Sequence, residues 1–146
     1  MRIGAFASTF DALAVRYLGR HLSAADGVPP EELERHELRL GVRLPDALRA
    51  YMEMAGAVPE WNTIHNRFFS AEQLCFEDDF LIFMDENQGV VSWGIPRAEL
   101  ARADPPVWQR TNALPPDWYS EDRAFTAFLG EMFAWYEQSG IWGKRA

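Results

Sequence analysis

One stretch constrains the fold more than any other: Phe80-Leu-Ile-Phe-Met-Asp-Glu-Asn-Gln-Gly-Val-Val-Ser-Trp-Gly-Ile-Pro96. Two apolar runs, 80–84 and 90–95, flank the polar turn 85–89. β-Branched and aromatic residues fill both runs and Gly89 closes the turn, the pattern of a hairpin. The first run is apolar at every position, which predicts a central strand covered on at least one side. A lone hairpin is not stable in water, so helices and further strands must pack on it. At 146 residues the chain is long enough for one core, and 1–146 is expected to form a single domain.

The flanking segments supply candidates. Ser8 is read as the cap of a first helix, with Asp11 near its positive end and Phe10, Leu13, Ala14, Tyr17, Leu18 and His21 at helical spacing. His21 is expected to face the helix C-terminus and not a ligand. Ala24-Ala-Asp-Gly27 breaks the pattern. A second short helix follows Val28-Pro-Pro30, with Glu31 and Glu32 in its first turn, Leu33 and Leu40 inward, and Gly41 as its stop. Leu40 stands where a metalloprotease motif beginning at His36-Glu37 needs its second His, so that motif is absent.

A third helix begins at Pro45, with a stripe of Leu44, Leu48, Tyr51, Met52 and Ala55 and a left-handed Gly56 at its end. Loop 57–62 carries Trp61, either a lid on the core or an exposed contact. Residues 65–69 read as a short edge strand, Ser70-Ala-Glu-Gln73 as a capping box, and Glu77-Asp78-Asp79 as a solvated acidic loop. Beyond the hairpin, 97–102 is a connection or turn of helix, 104–110 a strand entered through two prolines, and Leu114-Pro-Pro116 a break. Ser120 is read as the cap of the closing helix, with Phe125, Phe128, Leu129, Met132, Phe133 and Tyr136 on its stripe and Gly140 at its end. The tail 141–146 is either loose or docked. These elements predict an α+β fold: a small, mainly antiparallel sheet of four to six strands packed with three to five helices.

Charge and chemistry narrow the function. The chain carries 22 Asp and Glu against 14 Lys and Arg, a formal net charge of −8. That surface repels nucleic-acid phosphate and draws basic partners, although it also serves plain solubility. Cys75 is the sole cysteine, which excludes an intrachain disulfide and a multi-Cys metal site and fits a reducing compartment. No signal-peptide pattern or membrane-length apolar run is present, so the chain is read as cytoplasmic and away from membranes. Three scattered His residues and no Gly-rich phosphate loop give no nucleophile–base pair; neither enzyme activity nor a cofactor or metal is expected. With six Trp and ten Phe, some rings are available for contacts beyond the core.

Several pieces, taken in order, resemble the SUKH superfamily, which includes bacterial immunity proteins and a fungal regulator of cell-wall synthesis. They are Leu40-Gly-Val-Arg-Leu-Pro-Asp-Ala-Leu-Arg-Ala-Tyr51 with Gly56, Phe80-Leu-Ile-Phe with Asn87 and Gly89, and Trp93-Gly-Ile95. Asp104-Pro-Pro-Val-Trp108 and Phe125 with Phe128-Leu129 complete the set, which spans about 30–138. The helix within 1–27 lies outside it. The resemblance implies a non-catalytic protein that binds and neutralises a cognate, basic toxin domain, often a nuclease; the alternative is a scaffold or regulatory adaptor. The matched positions are mostly core and turn residues, so they speak to the fold before any site. The candidate partner-binding residues are Trp61, Glu77, Asp78, Asp79, Asp85 and Glu86.

Overall fold

The computed structural model describes residues 3–143. The helices are α1 (Ile3–Leu18), α2 (Pro30–Leu40), α3 (Asp46–Ala55), α4 (Pro59–Asn62) and α5 (Phe125–Gln138). The strands are β1 (Arg67–Phe68), β2 (Cys75–Glu77), β3 (Phe80–Asp85), β4 (Val91–Pro96), β5 (Pro106–Thr111) and β6 (Asp117–Ala124). All six form one antiparallel sheet in the order β1-β3-β4-β5-β6, with β2 also on β3. The described residues therefore form an α+β fold of five helices and six strands, within the expected counts.

The hairpin sits at the centre of this sheet, for a reason the apolar run only half discloses. The β3–β4 register shifts between Ile82 and Met84, leaving Phe83 as an extra residue in β3. Such a bulge bends the strand and lets neighbouring side chains share one face. Leu81, Phe83 and Met84 all enter the core beneath the helices, and Ile82, equally buried, faces the other way. Both sides of β3 are thus dry, but different layers cover them.

The core forms around Tyr51 of α3. Its ring lies 4.5 Å from Phe68, 5.5 Å from Phe10 and 6.1 Å from Phe125, joining α1, β1 and α5. Its hydroxyl donates to Asn62 Oδ1 at 2.7 Å, and Asn62 Nδ2 donates to the carbonyls of Ala55 and Val58 at 2.8 Å each. That network gives the buried Tyr51 hydroxyl and the Asn62 side-chain amide their partners and ties α3 to α4. Stacking of Trp61 on Phe133 at 4.5 Å fills the same space.

One edge of the sheet is broken up. β1 and β2 lie along the same side of β3, one on Met84–Asp85 and the other on Phe80–Ile82, separated by the 3-10 turn Ala71–Gln73. Arg39 of α2 reaches over that turn and donates to the carbonyls of Ala71 and Leu74, both at 3.1 Å.

Several sequence expectations are corrected here. Ser8 caps nothing: α1 starts before it and Ser8 is exposed inside the helix. Asp11 is accordingly mid-helix, where it accepts from the Leu22 amide at 2.8 Å and lies 2.6 Å from His21 Nδ1. His21 therefore clasps Asp11 beyond the helix end and does not face the helix C-terminus. Gly41 is left-handed as expected (φ 73°), but Gly56 is right-handed (φ −63°). What Gly56 supplies is space, since a Cβ there would lie 2.6 Å from the Met52 carbonyl oxygen. Loop 57–62 contains α4.

The largest revision concerns 117–124. Ser120 is a strand residue opposite Trp108, and α5 begins at Phe125. The first turn of α5 is instead held by Asp104, which accepts from Thr126 N at 3.0 Å and Thr126 Oγ1 at 2.6 Å. The tail is docked through Trp142, whose Nε1 donates to the Glu60 carbonyl at 2.9 Å; residues 144–146 and Met1-Arg2 lie outside the described residues. Among the described residues no helix is long and apolar enough to cross a membrane.

Candidate functional site

The register of the strands sorts the sheet into two faces. Leu81, Trp93, Ile95 and Val107 point to the helices. Cys75, Glu77, Phe80, Ile82, Ser92, Gly94, Trp108, Arg110, Trp118 and Ser120 share the opposite face, by pairings such as Glu77↔Phe80, Ile82↔Gly94, Gly94↔Trp108 and Arg110↔Trp118. The rings on this face, Phe80, Trp108 and Trp118, take no part in the helix-covered core.

They pack on one another instead. Phe80 stacks on Trp118 with centroids 3.6 Å apart and planes within 7°, and lies 5.9 Å from Trp108. Phe80 is on β3 and Trp118 on β6, three ladder steps away. In a flat sheet those steps of about 4.8 Å would separate the strands by about 14 Å. Ring contact at 3.6 Å shows that the sheet curls toward this side. Gly94 makes room at the bottom of the curve, where a Cβ would lie 3.0–3.2 Å from Leu81 O, Ile82 Cδ1 and Phe80 Cβ.

Charge frames the rings. The Arg110 guanidinium lies 5.6 Å from the Trp118 ring centroid and donates to Glu77 Oε2 at 3.1 Å. Trp118 Nε1 donates to Asp78 Oδ2 at 3.3 Å. Asp78 and Asp79 form the two-residue turn between β2 and β3, both left-handed with φ of 51° and 66°. Asn-Gly suits such a turn better, and non-glycine residues hold it at a cost. The stretch read as a solvated acidic loop is therefore a strand end and a tight turn, whose carboxylates grip the ring cluster.

The structure does not bring the five acidic candidates together. Glu77, Asp78 and Asp79 stand at one end of β3, and Asp85 and Glu86 at the other, about 17 Å away along a six-residue strand. Asp79 accepts from Arg97 Nε at 2.8 Å, and that guanidinium covers Phe76 at 3.7 Å. Asp85 accepts from Ser92 Oγ at 2.7 Å, and Ser92 Oγ accepts from Asn112 Nδ2 at 3.1 Å. Glu86 accepts the amides of Gln88 and Val90 at 2.9 and 3.1 Å and so shapes the β3–β4 turn. Trp61, the sixth candidate, is removed from the list: it is 2% exposed between Tyr51 and Phe133 and presents no surface to a partner.

Phe80, Trp108, Arg110 and Trp118 were missed as a group. The signal was present as alternation, Trp108 with Arg110 and Trp118 with Ser120, each pair two residues apart.

The nucleophiles and bases are scattered. His21 bonds Asp11, His36 Nδ1 accepts from Arg39 Nε at 3.0 Å, and His65 packs on Trp135 and Tyr136. Burial, followed by the Glu77 carboxylate, pushes the Cys75 thiol pKa up and away from the reactive thiolate. A cleft of about 1080 Å³ opens elsewhere, between α2, α3 and Arg97. Arg49 on its wall is already surrounded by Glu37, Glu34 and Glu53 at 2.6, 3.7 and 3.9 Å. Among the described residues no three His, Cys, Asp or Glu side chains are placed to hold a metal ion.

Fold and face together define the class: an α+β protein with helices on one side of a curled antiparallel sheet and a self-packed, acid-framed ring cluster on the other. No family model, no curated protein and no solved structure matches this chain.

Proposed function

We propose that this is a non-catalytic protein-binding protein of the cytoplasm, an immunity protein that covers a basic toxin domain. The observation that carries the reading is the face formed by Phe80, Trp108 and Trp118 with Glu77 and Asp78 at its border. Rings with a polar tip and a framing charge are the side chains that dominate protein interfaces. An interface of standard size takes about 800 Å² from each partner, and the net charge of −8 steers a basic partner toward it.

The test is co-expression with a basic toxin domain encoded beside the chain, scored by cell survival and by co-purification. Rescue is expected, and Trp108→Ala or Glu77→Lys with Asp78→Lys is expected to weaken it. Undiminished killing by the toxin in the presence of folded protein refutes the reading. A regulatory adaptor is the second reading, favoured by the open edge of β6, because a strand edge recognises main chain in many partners.

A further inference from the structure

We propose that the outer edge of β6 takes up an extended segment rich in lysine or arginine as an additional strand. The idea rests on reading the chain as a protein-binding protein and adds the mode of binding and the chemistry of what is bound. β6 ends the sheet, and no described strand lies beyond it.

The direction of its main-chain groups follows from two hydrogen bonds. Glu86 N donates to Val91 O and Asn112 N donates to Val90 O, both at 2.9 Å. The first turns the main-chain groups of Val91 and Trp93 toward β3; the second turns those of Ser92 and Gly94 toward Arg110 and Trp108 of β5. Antiparallel ladders alternate, so Gln109 and Thr111 bond across to Tyr119 and Asp117. The N–H and C=O groups of Trp118 and Ser120 consequently point outward, away from the sheet. The left-handed Asp122 (φ 57°) ends the regular edge, which limits the docking strand to about five residues.

Side chains along the edge select the occupant. The exposed Asp117 and Asp122 line it, Glu121 turns inward to accept from Trp93 Nε1 at 2.8 Å, and the neighbouring cation, Arg123, is engaged by Glu131 at 2.6 Å and Glu121 at 3.6 Å. A second copy of the chain is disfavoured: two chains of net charge −8 repel in any register, and the register centred on Tyr119, which pairs Trp118 with Ser120, also sets Asp117 against Glu121. Like charges directly opposite one another destabilise a ladder. Basic side chains meet the same positions favourably. Tyr119, 54% exposed, offers an apolar surface to the alternate side chains of the incoming strand.

The probe is the blocked hexapeptide Thr-Lys-Val-Lys-Val-Thr, titrated to about 2 mM into the full 15N-labelled chain, within reach of a millimolar complex. The expected result is shifts centred on the amides of Trp118 and Ser120, with hydrogen exchange at those two slowed about threefold, the limit set by the fraction of chain left free at that affinity. The Glu-for-Lys peptide, and the Lys peptide N-methylated at its edge-facing amides, should each bind about tenfold more weakly or not at all. Ser120→Pro removes an outward donor that serves no bond within the ladder, and should abolish the effect while leaving the remaining spectrum in place. Shifts centred elsewhere, equal binding of the acidic or methylated peptide, or no binding by the folded chain overturns the proposal. Rescue in the co-expression assay without peptide binding overturns the edge and leaves the immunity reading standing. Peptide binding without rescue supports the edge and removes the toxin.

Discussion

Substituting Gly27 by Ala should be among the most damaging single-methyl changes available in this chain. Gly27 has an ordinary backbone, φ −111° and ψ 170°, so no conformational strain enters. The obstacle is the end of α3: a Cβ at this position would lie 1.7 Å from the Glu53 carbonyl oxygen and 2.6 Å from its carbon. Ordinary contact begins near 3.4 Å, so the 24–28 turn and α3 must part by about 1.7 Å, the difference of those two distances. Two hydrogen bonds bracket the contact, Val28 N to Met52 O at 2.9 Å and Ala57 N to Asp26 O at 2.8 Å, and a shift of that size breaks both. Each is worth about 1 kcal/mol, and forcing atoms into a packed site adds about 1–3 kcal/mol. Against this stands about 0.5 kcal/mol gained by restricting the unfolded chain. The sum is about 2.5–4.5 kcal/mol, or a fall in Tm of about 5–18 °C for a chain of this size. Thermal melts followed by circular dichroism at one scan rate measure it. Gly130→Ala is the control: apart from the backbone of α5 itself, nothing lies within 4 Å of the added methyl, and a gain of about 0.5–1 kcal/mol is expected. A Gly27→Ala melt within about 2 °C of the parent would refute the steric argument.

Other substitutions probe charge and buried polarity. The Arg20 guanidinium, bonded at 2.8 and 2.9 Å, holds the Asp26 carboxyl down at about 2 despite its burial. A pKa depressed in the folded state stabilises above the unfolded value of 3.8 and loses that contribution as pH falls toward 2. With Arg20 45% exposed the full linkage is discounted for screening, leaving about 1–2 kcal/mol. Denaturant titrations should show Asp26→Asn weaker by that amount at neutral pH, with the gap closing near pH 2. Asn62→Leu strands the buried Tyr51 hydroxyl, while the carbonyls of Ala55 and Val58 keep their main-chain donors, at about 1–3 kcal/mol; adding Tyr51→Phe should recover part of it, and additive losses in that double-mutant cycle would exclude the network. Asp104→Ala removes both bonds to Thr126 and should cost about 1 kcal/mol by urea unfolding.

The hairpin was legible because its signals are local: β-branched runs and a Gly at the turn. The α3 stripe was equally legible, and Leu44, Leu48, Tyr51, Met52 and Ala55 are all buried as spaced. β6 was not, because Asp-Trp-Tyr-Ser-Glu-Asp-Arg-Ala is polar and interrupted by the left-handed Asp122, and Ser120 ahead of an apolar stripe imitates a helix cap. Losing β6 hid the ring face as well, since Phe80, Trp108 and Trp118 meet only once four strands, β3 to β6, have paired. Trp61 illustrates a different limit: Pro-Glu-Trp reads the same whether the ring points into solvent or, as here, onto Phe133. Composition alone also misplaced the acidic groups, because charge counts carry no information about which end of a strand each carboxylate occupies.

The Arg39 strap over Ala71 and Leu74, with the short β1 and β2 beneath it, has a consequence for stoichiometry. Elongation into a filament requires a unit that can be joined at both ends. Here one end is a two-residue strand and a three-residue strand separated by a turn and held down by a guanidinium, so it offers no continuous row to a newcomer. Only the β6 end remains, which gives the sheet a valence of one. A segment that docks there fills the last vacancy and terminates growth, so titrations of the chain should saturate at one segment per chain with no larger species beyond it.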